Sequence, residues 1–103
     1  MPDIFAKLVK EISHAIDRMG TDFDTHELIL ELARENQPAY IRALNESVES
    51  GSAAPFKVVH AAIGRSLKRH SHEFGIQEIE TGKNHSSPDI FGESCSCSKW
   101  KKT

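Results

Sequence analysis

Apolar residues recur at helical spacing through most of the chain. Ile4, Phe5, Leu8, Val9, Ile12, Ile16 and Met19 form the first stripe, with the i, i+4, i+7 spacing of an amphipathic helix. Asp3 suits its N-cap and Gly20 its stop, because short polar side chains satisfy free N–H groups and glycine turns the chain out. This predicts a first helix at about residues 3–19. The next helix has the clearest start signal in the chain. Asp24 would cap it, Glu27 would close a capping box, and Phe23 and Leu28 occupy the positions of a hydrophobic staple. Its stripe is Leu28, Ile29, Leu32 and Ala33, and it should end near Asn36, before Pro38.

Pro38 and Pro55 each fit the first turn of a further helix, where a missing N–H costs nothing. Tyr40, Ile41, Leu44 and Val48 predict the face of a third helix, which closes in the loop Ser50-Gly51-Ser52. Phe56, Val59, Ile63 and Leu67 predict the face of a fourth, running to about His72 and ended by Gly75. Beyond Gly75 the helical period is lost. Residues 76–81 suit a short strand, 82–88 a turn, and 89–92 a returning strand. Trp100 is expected to fold back as an anchor, and the last few residues to be disordered.

The predicted class is therefore α+β, mainly α, with three or four short helices followed by a C-terminal β-hairpin. One domain spans residues 1–103, helical over 3–74, with hairpin and tail over 75–103. This order resembles a winged helix-turn-helix, with His26–Leu44 as the helix-turn-helix part and the 76–92 hairpin as the wing. The resemblance is architectural, and no family-specific motif accompanies it. It implies a nucleic-acid-binding or transcription-regulatory protein.

Charge gives that implication residues to act through. The chain is nearly balanced, with 13 bases, 15 acids and a formal charge of −2, which argues against a generic polyanion binder. The charges are polarised, however. Residues 1–50 hold five bases against ten acids, and residues 51–103 hold eight against five. A domain with such a split can turn one face toward phosphate. Opposite the apolar stripe of the fourth helix, Lys57, Ala61, Gly64, Arg65, Lys68 and His72 fall together. Lys57, Arg65 and Lys68 are the expected phosphate contacts, Arg65 with the further option of a guanine edge. Lys83 and His85, at the hairpin tip, are expected to touch the sugar–phosphate backbone as wing residues. So few bases predict weak, salt-sensitive affinity for duplex nucleic acid from one protomer, which a homodimer formed through helix 1 would raise. The rival reading is a protein-interaction or adaptor module, with Trp100, Phe91 and Tyr40 as the aromatic types that anchor interfaces; their more ordinary role is the domain's own core.

Other chemistry finds less support. His70-Ser71-His72 and Cys95-Ser96-Cys97 supply donors that zinc accepts. Each pair is closer together than structural zinc ligands normally are, and His70 and His72 point to different sides of a helix. No metal or cofactor is therefore expected. Asp22-Phe23-Asp24 lacks the downstream ligands of a calcium loop, and Ser96-Cys97-Ser98-Lys99 lacks the helix that a serine–lysine nucleophile requires. With no glycine-rich phosphate loop and no paired carboxylates, the chain reads as a non-enzyme. The segment MPDIFAKLVKEI carries acids and no unbroken apolar run, which reads as neither signal peptide nor membrane span. Two closely spaced cysteines read as reduced thiols in the cytoplasm.

Overall fold

The computed structural model describes residues 4–103, with side chains from Lys7 onward. The expected Asp3 cap and the side-chain roles of Ile4 and Phe5 fall outside the described residues. Among the described residues five helices precede the C-terminal strands: α1 (Ile4–Arg18), α2 (Thr25–Glu35), α3 (Gln37–Glu49), α4 (Pro55–Arg69) and the single turn α5 (Ser71–Phe74). The α+β, mainly helical class holds. Among the described residues no helix is long and apolar enough to cross a membrane.

Local signals place the helices well. At α2 both halves of the capping box form: the Glu27 N–H donates to Asp24 Oδ1 and the Asp24 N–H to Glu27 Oε1, each at 2.9 Å. Phe23 and Leu28 are both buried, as a staple requires. α2 and α3 abut with only Asn36 between them. The expected fourth helix breaks at His70, and Gly75 ends α5 in the left-handed conformation with φ +68°, which glycine adopts without strain.

Leu8, Ile12, Ala15 and Ile16 of α1 meet Leu28 and Leu32 of α2 and Val59, Ile63 and Leu67 of α4 in one core. Leu8, Ile12 and Ile16 of the α1 stripe are thus covered within the domain, whereas Val9 is exposed. α3 differs from expectation. It buries Ala39, Tyr40, Ala43 and Ser47, while Ile41 and Val48 are exposed. Tyr40 and the partly buried Leu44 keep the inward positions that the spacing predicts, and Ala39, Ala43 and Ser47 complete the buried face.

The strands pair differently from the expected hairpin. β1 (Asp22–Asp24), β5 (Lys99–Lys102) and β2 (Ile76–Glu80) form one antiparallel sheet in the order β1-β5-β2. The partner of β2 is β5, not residues 89–92, and a register shift lies between Glu78 and Glu80. Residues 99–102, expected to belong to a loose tail, are the central strand. Trp100, opposite Phe23 and Glu78, is only 1% exposed, as its anchoring role predicted. Between β2 and β5 the chain makes a second, smaller hairpin of β3 (Ser86–Pro88) and β4 (Ser94–Ser96). Its tip is an Asx turn, in which Asp89 Oδ1 accepts from the Phe91 and Glu93 N–H groups.

Candidate functional site: the groove between α4 and the β3–β4 hairpin

α4 is buried along Val59, Ala62, Ile63, Ser66 and Leu67. The same 3.6-residue period turns Lys57, Ala61, Arg65 and Lys68 outward. The β3–β4 hairpin folds alongside this outer face, and its tip reaches the start of the helix. There Phe91 meets Phe56 edge-to-face, with ring centroids 5.0 Å apart and an interplanar angle of 86°. Between helix and hairpin lies a groove of about 1050 Å³. Lys57, Ala61, Gly64, Arg65 and Lys68 line it on the helix side, and Asp89, Phe91, Glu93, Cys95 and Cys97 on the other.

The expected contact residues separate into two groups. Lys57, Arg65 and Lys68 come together on one wall. Lys68 Nζ lies 3.7 Å from Glu78 Oε2, whereas Lys57 and Arg65 have no ion-pair partner among the described residues. Lys83 is exposed in the turn after β2, next to Gly82 of the groove lining but not part of it, and not at the β3–β4 tip. His85 is turned inward, with its Nε2 3.0 Å from Asp24 Oδ2. The wall facing the cations carries the acids Asp89 and Glu93, so the groove is of mixed charge. Of the three aromatics considered as anchors, Trp100 and Tyr40 are core residues, while Phe91 is 60% exposed.

A polar cluster that the sequence did not reveal shares Cys97 with the groove lining. Asp24 ends β1 and caps α2, His85 precedes β3, and Cys97 follows β4. One donor atom of each lies within 4.8 Å of the others. Burial opposes ionisation of Asp24, but hydrogen bonds from His85, the Glu27 N–H and Ser87 outweigh it and hold the carboxyl below its ordinary range. Ser87 Oγ is 2.9 Å from His26 Nδ1 and 3.7 Å from Cys97 Sγ, and His26 Nε2 is 3.5 Å from Cys95 Sγ. The cysteines therefore meet His26 and His85. His70 sits at the end of α4 beside Glu73, and His72 lies in α5. Cys95 is exposed, and slight desolvation together with the nearby charge of Asp89 pushes its thiol up. The fragments were visible in the sequence as a cap, a turn histidine and a thiol, but no spacing rule joins residues so far apart.

His60 lies on the helix wall behind Phe56, 2.5 Å through Nε2 from the Tyr40 hydroxyl. Burial pushes the His60 pKa down, against a smaller upward pull from Asp89, and burial pushes Tyr40 up to about 12. Both groups are thus neutral near pH 7 and share one neutral hydrogen bond. A lowered folded-state histidine pKa gives stability that is complete above the unfolded value of about 6.5 and lost as pH falls below it. Thermal melts should accordingly show a fall in Tm between about pH 7.5 and 5.5. The fall should be shallower in His60→Gln; an unaltered pH slope would show that this histidine does not contribute.

Comparison with known proteins finds no family model, curated protein or solved structure that matches the chain.

Proposed function

We propose that this is a winged-helix-type nucleic-acid-binding domain that meets duplex phosphates through the outer face of α4. The observation that carries this reading is the run of Lys57, Arg65 and Lys68 on one exposed helix face, immediately before an antiparallel strand pair that brackets a projecting hairpin. Helices followed by β2, a wing-like excursion and β5 keep the element order of a winged helix. Small side chains at Ala61 and Gly64 leave space for a backbone to come near. Lys83, exposed at the base of the excursion, adds a peripheral contact. His85, held on Asp24, contributes through the shape of the loop. On this reading the domain binds and does not catalyse.

Fluorescence anisotropy with a mixed-sequence duplex at low salt tests the reading. Binding should weaken steeply with salt, and Arg65→Ala should lower the salt slope by about 1 with little change in Tm. No binding at low salt, or an Arg65→Ala slope equal to that of the parent, would sink it. A second reading, an adaptor groove for a peptide, is favoured by the exposed Phe56–Phe91 pair and by Asp89 and Glu93 on the facing wall. It predicts indifference to duplex and capture of a basic, apolar peptide, weakened by Phe91→Ala.

A further inference from the structure

The geometry points to a divalent zinc site formed by Asp24, His85 and Cys97, which would fasten the 81–98 excursion to the junction of β1 and α2. This inference does not rest on the nucleic-acid reading. The three side chains offer one oxygen, one nitrogen and one sulfur, all within 4.8 Å of one another. A zinc ion about 2.0–2.3 Å from each of three tetrahedral donors needs them somewhat more than 3 Å apart. The Asp24–His85 contact, at 3.0 Å, is already close to that.

The surroundings orient the donors. Asp24 Oδ1 is held by the Glu27 N–H at 2.9 Å, which fixes the carboxylate and leaves Oδ2 toward the site. The Cys97 N–H donates to the His85 carbonyl at 3.2 Å, so the two loop donors are tied through the backbone. Ser87 Oγ, 3.7 Å from Cys97 Sγ, stands where a hydroxyl can support a thiolate from outside the ligand set. Charge also balances. A dication, an aspartate and a thiolate sum to zero beside neutral imidazole, which suits the buried Asp24. Binding replaces the Asp24–His85 hydrogen bond and releases the Cys97 thiol proton to solvent. Three protein ligands leave the fourth position for water or an external donor, and Cys97 brings the site to the groove lining. Cys95 lies apart from this ligand set, against His26.

Cobalt(II) titration of the whole reduced protein, without nucleic acid, tests the site. One equivalent should give thiolate-to-cobalt charge-transfer absorption that zinc bleaches. Zinc should also raise the Tm. Both effects should be lost in Cys97→Ser, strongly weakened in His85→Gln and retained in Cys95→Ser, with circular dichroism confirming that each variant is folded. Absence of the charge-transfer band in the parent protein would overturn the site, as would its persistence in Cys97→Ser. Loss of the band in Cys95→Ser would overturn the assigned ligand set. Should Cys97→Ser fail to fold, the comparison of His85→Gln with Cys95→Ser decides by itself.

Discussion

Trp100→Ala is expected to cost about 3–5 kcal/mol, the range for removing a large aromatic side chain from a core. Domains of this kind have only about 5–15 kcal/mol in total, so the variant should be largely unfolded at modest urea concentration. Three roles converge on this residue. It is the bulkiest of the fully buried side chains. It stands in the central strand, with Phe23 opposite on one side and Glu78 on the other. Its Nε1 also donates at 3.0 Å to Thr25 Oγ1, while Thr25 Oγ1 donates to the Ser98 carbonyl. Alanine would leave a cavity and deprive a buried hydroxyl of its donor. Urea unfolding followed by far-ultraviolet circular dichroism gives the measurement, with Lys101→Ala as the control on the exposed face of the same strand. A Trp100→Ala cost below about 1 kcal/mol would contradict the central position of β5.

Asp24→Ala comes next, at about 2 kcal/mol in metal-free buffer, because it removes an N-cap and orphans His85 together. The cap loss follows from the Glu27 N–H, which would lose its acceptor at the start of α2. The second loss follows from His85, whose Nε2 rests on Asp24 Oδ2. Asp24→Asn separates the two. Asparagine caps a helix as well as aspartate does, so this variant should recover most of the stability and retain only the deficit at His85. Chemical denaturation of the three proteins side by side reads the difference. Equal costs for alanine and asparagine would mean that the cap contributes little.

Elements specified by neighbours in sequence were legible. The α2 start was readable because the capping box and staple lie within six residues, Phe23 to Leu28. The groove wall was readable for the same reason: Lys57, Arg65 and Lys68 share one helix face by period alone. The face of α3 was misread because bulky Ile41 and Val48 gave a stronger pattern than Ala39, Ala43 and Ser47. Tyr40 and Leu44 kept the inward positions that the spacing assigned them. β1 was hidden inside the α2 cap motif, and β5, Lys-Trp-Lys-Lys, reads as a solvated tail until its partners are known.

The sequence by itself determined where α2 and α3 begin, which class the domain belongs to, and which helix face carries the cations. Those depend on dihedral preferences, caps and periodicity over a few residues. Tertiary structure alone decided that β5 inserts between β1 and β2, and that Asp24 meets His85 61 residues away, with Cys97 beside them. A short strand has no hydrogen-bond partners within itself, so its place is set by whichever edge burial brings to it. A three-donor cluster likewise exists only once separate loops have been folded onto one point.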